Sequence, residues 1–163
     1  VGITSFSHDK FSFKLWNHKR NISDNNVVCI GFDYNEFSNY ILRNYNDCIL
    51  MPVDYSSDLI KYKVTIDNTG IDMFEQLVPI SFTINSKFYY EKEIRLFRLL
   101  PPKTQKKYDR IIKLNKSLIK ELIISEKASK DTIRDIESYS KEIGEHKIQK
   151  AIIDTIRETV IIL

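Results

Sequence analysis

The amino-acid sequence predicts an α+β fold with a mixed, mostly antiparallel sheet and three to four packed helices. Apolar runs that suit strands and amphipathic stretches that suit helices interleave along the chain without a regular βαβ repeat. Glycine and proline are scarce, at 4 each in 163 residues. The sequence contains no Walker motif and no dinucleotide-binding glycine motif. Together these observations favour a mixed sheet with helices packed against it.

The composition is that of a single globular domain. Hydrophobic residues make up 42% of the sequence and charged residues 29%, which excludes a disordered chain. A chain of 163 residues can bury a core without disulfides. The formal charge of +3, from 25 Lys and Arg against 22 Asp and Glu, is too small to indicate nucleic-acid binding by itself.

The cysteines and the absence of export signals predict a cytoplasmic protein. Cys29 and Cys48 lie in apolar surroundings, which favours buried thiols in a reducing compartment. No signal peptide opens the sequence, and no apolar run reaches the roughly 18 residues that a membrane helix needs. Cys and His are too few at close spacing for zinc, so we predict no metal site and no membrane contact.

The chain begins Val1-Gly2-Ile3, without an initiator Met and within an apparent strand. We therefore expect residues 1–163 to be the C-terminal two-thirds of a longer protein.

The first third of the sequence predicts three strands and two helices. Strands are expected over 1–7, 27–32 and 48–55, because these runs are apolar and rich in β-branched residues. The run 27–32 is continuously apolar, which indicates a strand covered on both faces. A short helix is expected over 10–18. A second helix follows Asp33 or Asn35, either of which could be its N-cap.

The middle of the sequence predicts a helix and the strongest strand. A short element over 59–65 and a turn over 67–70 precede a helix over 72–85, in which Pro79 predicts an end or a kink. The segment 88–99 is the strongest strand pattern in the chain, and Pro101-Pro102 ends it.

The last third predicts a hairpin, a helix and two closing strands. Strands over 108–114 and 118–125 flank a turn at Asn115-Lys116-Ser117. An amphipathic helix runs to Ile143, with Ser129 as N-cap and Gly144 as the C-terminal stop. Strands over 147–153 and 159–163 meet near Asp154.

The candidate chemistry lies in the strand Phe88–Leu99. Alternate residues of a strand share a face, so Glu91, Glu93 and Arg95 are predicted on one side and Tyr90 on the other. Two carboxylates at this spacing influence each other's ionisation, and the arginine would hold at least one of them ionised. This face could orient a ribose hydroxyl or stabilise a developing positive charge. The plainer interpretation is a solvated strand face with a paired Glu and Arg.

A second candidate cluster joins the first strand to the first helix. Ser5 and Ser7 share one strand face and could meet a ligand there. Trp16, which is the only Trp, and His18 share one side of the predicted helix. A His beside a Trp is more often packed and hydrogen-bonded than a ligand-binding residue.

A third candidate is a basic stretch with thin aromatic interleaving. A solvated hairpin face explains this stretch better than a nucleic-acid groove does, so we predict no nucleic-acid partner. Its members are Lys103, Lys106, Lys107, Arg110, Lys113, Lys116 and Lys120.

These motifs resemble, in the same order, those of the bacterial and phage family called domain of unknown function 2971. The segments Ser5-Phe6-Ser7 and Leu15-Trp16-Asn17-His18 resemble that family's Phe-Ser strand and its Met-Trp-Ser-His helix. The segment 87–95 resembles its Trp-x-Tyr-Glu-Lys-Glu-Trp-Arg strand. The chain departs from the pattern at Leu15, at Phe88 and Ile94, and in the loop 21–26. The family's N-terminal portion has no counterpart here.

The resemblance implies a specific activity. The order of a Ser-x-Ser strand and a Glu-x-Glu strand is similar to that of ADP-ribosyltransferases, which implies NAD as substrate. Ser5 and Ser7 would then bind NAD, with Trp16, His18, Tyr90 or Arg95 as further ligand contacts. Glu93, or else Glu91, would be catalytic. An NAD-utilising enzyme of phage defence or of a toxin system is therefore expected.

Two other functions stay open at this point. A non-catalytic binding or regulatory module would close the acidic residues into an ionic ladder. A nucleic-acid-binding protein would use the basic stretch. The sequence does not determine the oligomeric state.

Overall fold

The architecture was determined from a computed structural model. The structure describes residues 2–17, 26–57, 71–100, 111–144 and 146–163, and for residues 71–76 the backbone alone. Within this part the chain combines three sheets with four α-helices, so the predicted α+β class is confirmed. Among the described residues, no helix combines the length and apolar character needed to cross a membrane.

The chain divides into two compact units, each built from two stretches of sequence. Unit 1 comprises Val1–His8 and Tyr45–Arg110, and unit 2 comprises Asp9–Asn44 and Ile111–Leu163. The prediction of a single domain over 1–163 stays a prediction.

Unit 1 is organised around a three-stranded antiparallel sheet. Its strands are β1 (Gly2–Ser7), β3 (Cys48–Pro52) and β6 (Glu93–Arg98), and β6 lies in the middle. The central position explains the burial of β6, where Phe97 has no exposed surface and Leu96 only 4%.

The other described elements of unit 1 are two short strands, an α-helix and a 3₁₀ helix. Two short parallel strands, β4 (Asp54–Ser56) and β5 (Thr83–Asn85), pair with each other. The helix α3 (Ile71–Phe82) leads directly into β5, and a 3₁₀ helix (Ser86–Glu91) follows it. The ring of Phe82 lies 6.1 Å from the ring of Phe97, which packs the end of α3 against β6.

Unit 2 is a four-stranded mixed sheet. The strands are β2 (Val28–Phe32), β7 (Ile119–Ser125), β8 (Ile148–Asp154) and β9 (Thr159–Ile162), in that spatial order. The β7–β8 pair is parallel and the other two pairs are antiparallel. The helix α4 (Lys130–Ile143) connects the parallel strands, as a crossover of this kind requires.

Helices accompany this sheet. The helix α1 (Phe13–Trp16) supplies Trp16 to a core formed with Ile123, Ala151 and Val160. On β7, Leu122 points to the opposite face from Ile123 and packs with Ile143 of α4. The helix α2 (Tyr34–Asn44) follows β2, and a second 3₁₀ helix (Lys116–Leu118) precedes β7.

Several local predictions are confirmed. Asp33 is the N-cap of α2, because its carboxylate accepts the Glu36 N–H at 2.9 Å. Ser129 accepts the Thr132 N–H at 3.2 Å, and Gly144 ends α4 with a φ of 116°. The closing strands β8 and β9 are joined at Asp154.

Several element predictions are wrong. The helix expected over 72–85 continues past Pro79 but ends at Phe82, where β5 follows. The segment 88–99 is not one strand, because its first residues form the 3₁₀ helix Ser86–Glu91 and only Glu93–Arg98 is a strand. No hairpin turn lies at 115–117, where the second 3₁₀ helix begins instead, and β7 pairs with β2 and β8. The strand β2 is half-exposed at the edge of its sheet, with Ile30 42% exposed. The predicted element over 59–65 lies outside the described residues.

Candidate functional site

The serine strand and the glutamate strand are neighbours in unit 1. The antiparallel register of β1 and β6 sets Ser7 opposite Glu93 and Ser5 opposite Arg95. Directly opposite residues of an antiparallel pair have Cβ atoms about 4.5–5.5 Å apart and point to the same face. Both serines are exposed, whereas Glu93 is only 6% exposed. One face of the β1–β6 pair therefore holds two exposed serines beside a buried acid.

The Glu93 carboxylate is bound by Arg95 through both of its oxygens. Arg95 Nε donates to Oε1 at 2.7 Å, and Nη2 donates to Oε2 at 3.1 Å. The third nitrogen, Nη1, donates to the backbone carbonyl of Ser81 in the last turn of α3. The arginine side chain is 17% exposed. A bidentate pair of this kind fixes the orientation of the carboxylate.

The backbone of Glu93 is also fixed. Its N–H donates to the hydroxyl of Tyr55 at 2.8 Å, and its carbonyl accepts the Val53 N–H at 2.9 Å. Burial raises the pKa of Tyr55 and outweighs the opposing effect of its hydrogen bond with Glu93. The Tyr55 ring meets the ring of Tyr89 edge to face, with centroids 5.4 Å apart. Tyr89 itself is 64% exposed.

Glu91 does not share a strand face with Glu93, which corrects the sequence-based expectation. Glu91 is the last residue of the first 3₁₀ helix, and Lys92 follows it with a left-handed φ of 42°. The change of backbone conformation at Lys92 ends the period-two alternation that the prediction assumed. The backbone carbonyl of Glu91 accepts the Ser7 hydroxyl at 2.7 Å, so β1 is tied to this turn. Tyr90, expected on the opposite strand face, also lies in the 3₁₀ helix.

Trp16 is a core residue of unit 2. Trp16 belongs to unit 2, is 5% exposed and donates its indole N–H to the Lys10 carbonyl at 2.6 Å. A side chain buried in this way is a core residue and is not available to stack on a ligand. His18 lies outside the described residues.

The basic stretch is partly neutralised where the structure describes it. Lys120 pairs with Glu36 at 2.7 Å, and Lys116 lies 3.7 Å from Glu142. The positions 103, 106, 107 and 110 lie outside the described residues. Two of the candidate lysines thus have acidic partners, which weakens the nucleic-acid hypothesis.

A second arginine of β6 makes an ion pair through one nitrogen on the other face of the strand. Arg98 Nε donates to Asp47 Oδ2 at 2.8 Å, and its guanidinium lies 5.6 Å from the ring centre of Tyr45. The hydrogen bond with Asp47 raises the pKa of Arg98. This pair offers an internal comparison for the Glu93–Arg95 pair.

Sequence reasoning missed three groups of the site: Tyr55, Tyr89 and the Ser81 carbonyl. Tyr55 contacts Glu93, the Ser81 carbonyl contacts Arg95, and Tyr89 contacts the ring of Tyr55. These groups come from three different elements, and no spacing in the sequence signals such a meeting. Within the described residues, no three His, Cys, Asp or Glu side chains lie close enough to hold a metal ion.

Comparisons with protein-family models, with curated proteins and with solved structures find no match for this chain. The geometry of unit 1 is therefore the basis for a functional assignment.

Proposed function

We propose that unit 1 binds NAD and cleaves its nicotinamide–ribose bond, as an ADP-ribosyltransferase-like enzyme or an NAD glycohydrolase. The observation that supports this proposal is the register of β1 and β6, which sets Ser7 opposite Glu93. The motif order resembles that of the domain of unknown function 2971 family. This resemblance is the reason for proposing NAD as the substrate and phage defence or a toxin system as the biological setting.

The proposed chemistry is electrostatic. The bond between the ribose anomeric carbon and the nicotinamide nitrogen breaks, and its electron pair leaves with nicotinamide. The ribose becomes oxocarbenium-like, and the Glu93 carboxylate stabilises this positive charge. A water molecule or an acceptor nucleophile then adds to the anomeric carbon and loses a proton. The exposed Ser5 and Ser7 side chains would orient the nucleotide by hydrogen bonds. Ser7 would act as an acceptor, because its O–H donates to the Glu91 carbonyl.

The Glu93–Arg95 pair limits this role without removing it. Each carboxylate oxygen has two acceptor sites, and the arginine occupies one on each oxygen. In the proposed complex a ribose hydroxyl would donate to one of the remaining acceptor sites. The arginine charge offsets part of the negative charge, so the rate gain expected from Glu93 is smaller than from an unpaired acid.

The test is the release of nicotinamide from NAD by the purified chain. We expect Glu93→Gln to lower the rate by roughly 100-fold, because one well-placed stabilising group is worth that much or more. Glu121→Gln is the matched control, since Glu121 also makes a close ion pair, at 2.6 Å from Lys10, but in unit 2. Full turnover by Glu93→Gln would overturn the proposal, and so would a wild-type chain that releases no nicotinamide.

The second candidate function is a non-catalytic binding or regulatory module. The observation that favours it is the closure of Glu93, which is 6% exposed and bound by Arg95 through both oxygens. In such a module the pair maintains the fold of unit 1. The expected result is then a stability loss in Glu93→Gln with no NAD turnover in any variant, and nicotinamide release by the wild type would exclude it.

A further inference from the structure

Arg95 joins two parts of unit 1 that are separate in the sequence, the strand β6 and the end of α3. It extends from β6 and donates hydrogen bonds to both carboxylate oxygens of Glu93 on the same strand. It also donates to the Ser81 carbonyl at the end of α3. All three of its nitrogen atoms are engaged. Because the guanidinium is planar and rigid, a contact with α3 and a contact with Glu93 constrain each other.

The end of α3 is itself held in place. Thr83 Oγ1 donates to the Pro79 carbonyl at 2.8 Å, and Phe82 packs against Phe97 with ring centres 6.1 Å apart. The last carbonyls of a helix lack intrahelical donors and carry partial negative charge. A guanidinium is therefore a favourable partner for the Ser81 carbonyl, and α3 becomes the fixed support of the arginine.

We propose that Arg95 is a positioning residue that sets the orientation of the Glu93 carboxylate from the end of α3. This inference rests on the proposed function for its kinetic consequence. It replaces the expectation that Arg95 contacts the ligand, since its Nε, Nη1 and Nη2 atoms all bind protein groups.

The kinetic test compares two arginines of the same strand. Lysine keeps the charge but is a single point donor, so Arg95→Lys cannot hold two carboxylate oxygens and a carbonyl in one plane. The expected result is a loss in kcat for nicotinamide release of roughly 100-fold with KM little changed, because a misplaced group weakens the transition state and not substrate binding. Arg98→Lys is the matched control, because Arg98 pairs with Asp47 through Nε alone on the other face of β6.

A spectroscopic test depends neither on enzyme turnover nor on whether an Arg95 variant folds. A guanidinium held at both ends rotates slowly about its Nε–Cζ bond, so the Nη signals of Arg95 should be resolved by nitrogen NMR in the wild type. In Glu93→Gln they should merge. Resolved signals that merge in this way support the positioning role, whereas signals that are merged in the wild type, or resolved in both proteins, overturn it.

The outcomes separate this inference from the proposed function. A wild-type chain without nicotinamide release overturns the proposed function, and the NMR result alone then decides whether Arg95 orients Glu93. Loss of turnover in Glu93→Gln with full turnover in Arg95→Lys keeps the proposed function and overturns the positioning role.

Discussion

Gly31 lies directly opposite Glu121 across the β2–β7 pair, so close that a Cβ atom at position 31 would lie 2.8 Å from the Glu121 Cβ. The ladder also shifts register between Gly31 and Phe32. A side chain at position 31 would meet a neighbour whose Cα and Cβ are part of a paired strand and cannot rotate away.

We predict that Gly31→Ala destabilises unit 2 by about 1–3 kcal/mol, which is the usual cost of forcing an extra carbon into a packed site. The fluorescence of Trp16, the single Trp of the chain and a member of the unit 2 core, reports the denaturant transition. Gly2→Ala is the matched control, because the nearest atom to its added Cβ is at 3.8 Å, and it should unfold as the wild type does.

Removing Arg95 should cost far more than removing an exposed arginine. Arg95→Met leaves the Glu93 carboxylate buried without its partner, and breaking a buried pair costs about 3–5 kcal/mol. The comparison is Arg134→Met, whose pair with Asp131 has side chains 75% and 84% exposed and should contribute at most about 1 kcal/mol. Hydrogen exchange of the β6 amides measures the first effect locally. Equal protection in both variants would contradict the prediction.

The turn between β8 and β9 should be sensitive to acid. Asp154 accepts the N–H groups of Ile156 at 2.9 Å and of Arg157 at 3.0 Å, and the Arg157 N–H is the main cause that lowers the pKa of Asp154 below 3.8. A lowered pKa means that the charge stabilises the folded chain above about pH 4, and that this contribution is lost as the pH falls through the folded value.

Asp154→Asn isolates the charge, because asparagine keeps an acceptor oxygen at the same place. We expect the wild type to be the more stable of the two at neutral pH, with the difference shrinking as the pH falls below about 4. Denaturant titrations across this range measure the difference. A gap that stays constant with pH would show that the charge contributes nothing.

Cys48 should be unreactive at neutral pH. Burial is the main cause that raises its pKa to about 11, and neighbouring Asp47 adds to the effect. On the order of one thiol in ten thousand is then ionised at neutral pH, and only the thiolate reacts with iodoacetamide. Peptide mass spectrometry should show modification of Cys48 rising steeply towards about pH 11. The denatured chain is the control, and rapid native modification at neutral pH would refute the assignment.

The sequence predicted the local parts of the fold better than the pairing of strands. Helix ends were predictable because a single side chain decides them, as Asp33 and Ser129 do by accepting nearby N–H groups. The strand order was not, because β6 lies between β1 and β3 through contacts between segments far apart in the chain.

Two of the wrong predictions have one physical cause. Asn85 accepts the Lys87 N–H at 3.1 Å, and Asn115 accepts the Ser117 N–H, also at 3.1 Å. In each case an asparagine side chain binds the backbone two residues ahead and starts a 3₁₀ helix. The alternating pattern after position 88 predicted a strand, and the turn formers at 115–117 predicted a hairpin turn. Neither pattern signals that an asparagine side chain begins a 3₁₀ helix there instead.

The candidate site was half predictable. The alternation of Ser5 and Ser7, and the spacing of Glu93 and Arg95, placed these side chains correctly on strand faces. The loss of Glu91 from that face depends on the left-handed conformation of Lys92, which β-strand periodicity does not signal. The hydrogen bond from Arg95 to the Ser81 carbonyl depends on where the end of α3 lies in space, which the sequence does not signal.

Each unit is built from two separate stretches of the chain, and this has a consequence for folding during synthesis. β2 emerges from the ribosome before most of unit 1, yet its partner β7 emerges after it. Until translation reaches Ser125, the hydrogen-bonding groups of β2 lack the ladder that satisfies them in the finished fold. A message truncated between these two strands would therefore yield a nascent product with an unpaired apolar segment, open to chaperones and to aggregation.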